Sequence, residues 1–186
     1  MGAVERVLLL PLLTKTFPNI RFCLWVEVEL SGSVLCPQNS LNKILLVVDD
    51  SDISRKAAVF AANLARDFAV EVNVLAVIPD IVSMLKEYGR IAEVHHINNN
   101  RGKIEEALFI DQANRAVATA MACLGKVGGG GCPVVKKGVP SHEIIAAAKN
   151  HDLLIIGNPG KPAPQGQGSI LDALLASPQI STIFVQ

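Results

Sequence analysis

Short apolar runs that recur between segments of helical spacing constrain this chain more than any other feature. From residue 42 onward, apolar or alternating strand-like stretches at 43–48, 70–78, 153–156 and 183–185, and a third strand opened by Val134-Val135 and ended by Gly138, alternate with helix-period stretches. The first run carries Ile44-Leu45-Leu46-Val47-Val48 without a polar break, the pattern of a strand covered on both faces. Ser51-Asp52-Ile53-Ser54 then offers N-caps. Phe60, Leu64 and Phe68 follow at i, i+4 and i+8, beside Ala57, Ala61 and Ala65, and predict an amphipathic helix. Residues 81–88 suit a short helix. Ile104, Leu108, Val117, Met121 and Leu124 mark a long one after the polar Asn98-Asn99-Asn100. Ser141 stands where it would cap the helix carrying Ile144, Ile145 and Ala148, and Ser169 opens the last helix. The alternation predicts an α/β domain, an open parallel five-stranded sheet with helices on both faces and right-handed crossovers. Such sheets bind ligands at the carboxyl ends of their strands, where the strand order reverses. Residues just after the first, second and fourth strands are therefore the ones that matter.

Composition narrows the partners. Half of the 186 residues are apolar, and 17 Lys and Arg balance 17 Asp and Glu. That balance gives no electrostatic ground for nucleic acid or an anionic membrane as partner. Cys23, Cys36, Cys123 and Cys132 form no CxxC pair and no zinc spacing, which fits reduced thiols and a cytoplasmic setting. Residues 1–41 read differently from the rest. The apolar stretch from Val7 to Leu13 is too short to span a bilayer. Glu5 and the lack of a nearby small-x-small site set it apart from a signal peptide. Residues 20–30 alternate in the manner of a strand. Two readings stand: a genuine N-terminal extension, or sequence upstream of a start at Leu41. The domain itself is placed at 42–186.

The most informative stretch is Gly157-Asn158-Pro159-Gly160, then seven residues, then Gly168-Ser169. It joins a strand to a helix. Glycines let backbone approach an anion closely, successive N–H groups can share one concavity, and a helix N-terminus attracts phosphate. A capping role explains Ser169 equally, since Ser169 and Asp172 match the S-x-x-D capping box.

In its surroundings this loop resembles the universal stress protein signature G-x2-G-x9-G-[ST]. Other landmarks follow in the same order: Val48-Asp49-Asp50-Ser51 resembles V-D-G-S, Ala76-Val77 matches the end of the family's second strand, and Gly138-Val139-Pro140 resembles its G-x-P turn. Asp152-Leu153-Leu154-Ile155-Ile156-Gly157 resembles D-L-I-V-M-G, and Gly168-Ser169-Ile170-Leu171-Asp172 resembles G-S-V-A-D. The resemblance implies a nucleotide-binding, Rossmann-like sheet with strand order 3-2-1-4-5. It implies ATP, or AMP, as ligand, with Mg or Mn on the phosphates. Asp49 would contact the ribose and the Val77 backbone the adenine, while Gly157, Gly160, Gly168 and Ser169 would wrap the phosphates. It also implies a homodimer through the C-terminal strand, an edge that is apolar in this chain; the alternative is that the chain's own N-terminal extension caps that strand.

Three departures qualify the ligand. The loop is two residues shorter than the signature, Pro159, Pro162 and Pro164 stiffen it and remove N–H donors, and Asp50 replaces the usual glycine. A second carboxylate beside a polyanion costs about 1 kcal/mol in water and more when partly buried. Two alternatives therefore stay open: a nucleotide-free dimeric interaction module of the same fold, and a degenerate receiver-type phospho-acceptor domain, which the paired Asp49-Asp50 resembles. The latter lacks an aspartate after the third strand and a Lys-Pro pair after the fifth. No G-x-S-x-G elbow is present, and no well-placed general base accompanies the loop, so turnover of ATP is expected to be slow or absent. His95-His96, His142 and His151 read as solvated surface.

Overall fold

The computed structural model describes residues 4–8, 20–23, 25–29, 41–87, 89, 93, 100–128, 130–157, 170–177 and 179–186. In chain order the elements are β1 (Val4–Leu8), β2 (Ile20–Cys23), β3 (Trp25–Glu29), β4 (Lys43–Val47), α1 (Asp52–Phe68), β5 (Glu71–Pro79) and α2 (Ile81–Glu87). There follow α3 (Asn100–Gly125), β6 (Pro133–Gly138), α4 (Pro140–Ala148), β7 (Leu153–Gly157), α5 (Ile170–Leu175) and β8 (Thr182–Val185). Five parallel strands stand side by side as β6-β5-β4-β7-β8, the expected 3-2-1-4-5 order. β2 adds a sixth strand, antiparallel, outside β8. β1 and β3 pair antiparallel in a separate two-stranded sheet. Among the described residues no helix is long and apolar enough to cross a membrane.

The unbroken apolar runs have the meaning expected of them. Ile44, Leu46, Val48, Val72 and Val74 face one side of the sheet and pack with the alanines of α1 and α3. Leu45, Val47, Leu75 and Leu154 face the other and pack with Ile144, Ala148 and Leu174. Alternate residues of one strand thus enter different cores, so no position in β4 beyond Lys43 is free to be polar. Each buried Val, Leu or Ile contributes roughly 1.5–3 kcal/mol.

The helices correct the sequence reading in detail. On α1 the contact face is alanine: Ala57, Ala58, Ala61, Ala62 and Ala65 are buried with Phe60, and small side chains bring the helix close to the sheet. Phe68, expected on the same face, is 64% exposed. It is the last helical residue before Ala69, which turns the chain in the left-handed region at φ 53. On α3 the buried residues are Ala113, Ala116, Ala120 and Leu124, whereas Leu108 is 58% exposed. Ser141 does not cap α4. The N-cap is Val139, with no side-chain cap bond and Pro140 at the start, a position where proline's missing N–H costs nothing. In the segment 20–30 the structure holds two strands, β2 and β3, rather than one.

The amino-terminal edge of the parallel sheet is tied by one carboxylate. Asp152 Oδ2 accepts from the backbone N–H groups of Asn42 and Lys43, both at 2.9 Å, while Asp152 N donates to Lys43 O at 2.9 Å. These hydrogen bonds, that from Asn42 foremost, hold the Asp152 carboxyl below the usual carboxylate range. A carboxyl whose folded value is depressed stabilises the fold fully above its unfolded value, about pH 4, and loses that contribution as pH falls through the folded value. Asp152→Asn is therefore expected to lower Tm at neutral pH, with the gap to wild type closing as acid protonates the native carboxyl. Thermal melts of both proteins across an acid titration check this, and a gap that widens in acid would contradict it.

Candidate functional site

The chain reverses its direction of strand addition between β4 and β7. From β4 it adds β5 and β6 on one side, then returns to add β7 and β8 on the other. The carboxyl ends of β5, β4 and β7 therefore surround the switch point. Val47 pairs with Leu75 on one side and Ile156 on the other. Asp49 lies two residues past Val47, Val77 two past Leu75 and Gly157 one past Ile156. Three of the expected site residues are thereby brought to one end of three adjacent strands. Gly160, Gly168 and Ser169 lie outside the described residues, as does the pair His95-His96.

The turn after β4 is laced by serines. Ser51 is the N-cap of α1, and its Oγ accepts from Ser54 N at 3.1 Å. Ser54, a residue only 4% exposed, accepts through Oγ from Asp49 N at 2.9 Å. Asp49 Oδ1 accepts from Ser51 N at 3.1 Å and Ser51 Oγ at 2.5 Å. Asp49 itself is exposed and held in one orientation. On the neighbouring strand end, Asp80 repeats the device: its Oδ2 accepts from Ser83 Oγ at 2.6 Å and its Oδ1 from Ser83 N at 3.3 Å. The Ser83 hydroxyl holds the Asp80 carboxyl below the usual carboxylate range.

A small cleft of about 10 Å³ opens beside this turn, lined by Asp49, Asp50, Ser54 and Arg55 and, from α3, Ala116 and Thr119. Ligand sites commonly measure roughly 300–1,000 Å³, so the cleft by itself has space for about one water and not for a ring or sugar. Sequence reasoning missed what α3 contributes. Arg115 donates through Nε and Nη2 to Asp50 Oδ2 at 3.2 and 3.0 Å and also pairs with Asp111. The carboxylate that stands in place of glycine therefore has its own guanidinium. The i, i+4 spacing of Asp111 and Arg115 was readable as a helix pair, but Asp50 lies 65 positions away in sequence.

Of the remaining candidates, His142 pairs with Glu87 at 3.2 Å on the surface. His151 is half-buried instead: Nδ1 meets Ala147 O at 2.9 Å and Nε2 meets Asn73 Nδ2 at 3.2 Å. The carbonyl accepts, so Nδ1 carries the proton and Nε2 receives the amide. Cys123 is half-buried and Cys132 exposed. Among the described residues no three His, Cys, Asp or Glu side chains gather into a metal-binding group.

Gly157 has a packing reason beyond any ligand. A Cβ there would lie 2.9 Å from Ile53 Cγ2 and 3.1 Å from both Ile53 C and Ser54 N. The end of β7 thus touches the first turn of α1 with no space for a methyl group. Gly157→Ala is expected to destabilise the fold by about 1–3 kcal/mol, measured as a fall in the urea midpoint at unchanged slope. An unchanged midpoint would mean that the strand end is looser than its contacts show.

Comparison with known proteins agrees with this architecture. The model of the universal stress protein family matches residues 40–186. A search of the curated proteins finds no match. Among solved structures, the universal stress protein UspA from Lactobacillus plantarum superposes with a TM-score of 0.58 at 19% identity, covering 78% of this chain and 98% of that one. A universal stress protein family member from Burkholderia pseudomallei gives 0.58 at 18% identity over 80% and 98%. A universal stress protein from Archaeoglobus fulgidus gives 0.51 at 20% identity over 78% and 93%. With its signature residues in order, its strands arranged 3-2-1-4-5 and the family model spanning residues 40–186, the chain belongs to the universal stress protein family.

Proposed function

We propose that residues 42–186 form an adenine-nucleotide-binding regulatory domain of the stress response, acting in the cytoplasm with little or no catalysis. ATP would lie across the carboxyl ends of β5, β4 and β7. Asp49 would accept from a ribose hydroxyl and the Val77 backbone would meet the adenine. The phosphates would rest against Gly157, Gly160, Gly168 and Ser169, with Mg or Mn carried on their oxygens. The observation that carries this reading is the gathering of Asp49, Val77 and Gly157 at the switch point. The Arg115 guanidinium on Asp50 supports it further, because it offsets the charge that would otherwise repel a polyanion. Occupancy would favour whichever conformation the nucleotide contacts, and a partner would read that change. A homodimer through β8 belongs to the same reading and would require β2 to leave the outer edge of that strand.

The nucleotide-free interaction module is favoured by one observation, the shortened loop with Pro159, Pro162 and Pro164. The receiver-type alternative has no carboxylate at the end of β6, which closes on Gly138 and continues into Val139 and Pro140. A thermal-shift titration with Mg-ATP separates the readings. At about 100 times Kd a ligand adds about 2.7 kcal/mol, a rise of roughly 5–10 °C for a domain of this size. Wild type is expected to show that rise, and Gly168→Val to melt at the wild-type temperature without ATP yet gain nothing from it. No shift in wild type at millimolar Mg-ATP would replace the binding reading with the nucleotide-free module.

A further inference from the structure

At the amino end of the parallel sheet, away from the switch point, the Asn73 amide is in use at both of its ends. Its Nδ2 donates to His151 Nε2 at 3.2 Å, and its Oδ1 accepts from Cys132 N at 3.0 Å. One side chain of β5 thus joins the turn between α4 and β7 to the residue that leads into β6. The ring is fixed from its other side, where Nδ1 donates to Ala147 O at 2.9 Å. The segment held by Asn73 lies hard against β5: a Cβ on Gly131 would strike Val72 O. The bond that follows, from Val74 N to Cys132 O, is long at 3.3 Å. The titratable groups on the elements packed around the ring are Lys149 and Asp152 from its own stretch of chain, Lys43 of β4, Glu71 of β5 opposite Lys43, and the exposed Cys132 thiol. Asp152 is engaged by the Asn42 and Lys43 N–H groups, and β6 brings no acid or base before Lys136.

We propose that His151 is a proton-operated latch: a proton taken up at Nε2 turns the Asn73 amide over and frees the backbone of Cys132 at the entry to β6. In the neutral ring Nε2 accepts, and the amide serves both neighbours. In the imidazolium Nε2 donates, and it then faces Nδ2, which donates as well. The amide has a single acceptor for two donors. With Oδ1 left on Cys132 the charged ring has no bond to Asn73. With the amide turned, Oδ1 meets the ring and Nδ2 faces the Cys132 N–H, donor against donor. A hydrogen bond from a charged donor is roughly twice as strong as one between neutral groups, and the exposed Cys132 can give its N–H to water. The amide therefore turns, and the first residues of the edge strand β6 come loose from β5. Histidine is the side chain whose ordinary titration falls between roughly pH 5 and 8, so mild acid works the latch. The inference concerns the opposite end of the sheet from the nucleotide reading and does not depend on it.

The test is an NMR titration of the full chain, without nucleotide, from about pH 8 to about pH 5.5, following the Cys132 amide and the His151 ring together. In wild type the Cys132 amide proton is expected to move upfield with the same midpoint as the ring, and its shift to become more temperature-dependent as the N–H passes to water. In Asn73→Asp both carboxylate oxygens accept, so the ring and Cys132 are held at once and the amide should stay in place while the ring titrates. In His151→Gln there is no proton to gain, and the amide should stay in place throughout. A wild-type Cys132 amide that does not follow the ring, a ring that takes up no proton while the protein is folded, or an amide that moves as far in Asn73→Asp as in wild type would overturn the proposal. The wild-type titration and its temperature dependence give the answer even if a variant misfolds.

Discussion

The contact between the end of β7 and the first turn of α1 sets the geometry of everything at the carboxyl end of the sheet. With only hydrogen on the Gly157 Cα, Ile53 and Ser54 lie against the strand end. That closeness fixes where α1 begins, and the start of α1 fixes the turn before it. Ser51 caps the helix, Ser54 receives the Asp49 N–H, and Asp49 receives two bonds from Ser51. A carboxylate thus becomes part of the rigid frame at the point where strand order reverses. Pre-ordering of this kind lowers the entropy a ligand must remove on binding.

The charges around that frame are arranged with similar economy. Asp50 adds an anion where the family signature has glycine, yet the guanidinium of Arg115 bridges it to Asp111. All three groups are substantially exposed, so their attraction adds little to stability. Its relevance is to the field that an approaching phosphate would meet. The edges of the sheet follow the same logic of local compensation: proline and lysines in β6, a borrowed strand on β8.

Much of the fold was legible because parallel strands buried on both faces leave an unambiguous mark. Five strand-like stretches located five strands to within a few residues, and the family landmarks supplied their order. Helix faces were less legible, since large side chains drew attention that belongs to alanine. Phe68 and Leu108 are exposed whereas Ala61, Ala116 and Ala120 are buried, because a close helix–sheet approach favours small residues. Motif position placed the candidates Asp49, Val77 and Gly157 at neighbouring strand ends, where the register brings them. Arg115 was not, because its partner Asp50 is distant in sequence and only folding brings α3 alongside the β4 turn. Alternation marked residues 20–30 as strand without separating β2 from β3, and the capping of the last strand by the N-terminal extension, one of two readings of that edge, is what β2 does.

The central claim is that this frame holds an adenine nucleotide. Native mass spectrometry of protein freshly purified without added nucleotide tests it most directly, since retained ligand appears as added mass on the folded chain. The account predicts a population heavier by one adenine nucleotide, which disappears on denaturation and can be recovered and identified as ATP or AMP. A folded chain that is bare throughout, and stays bare after incubation with Mg-ATP, would contradict it.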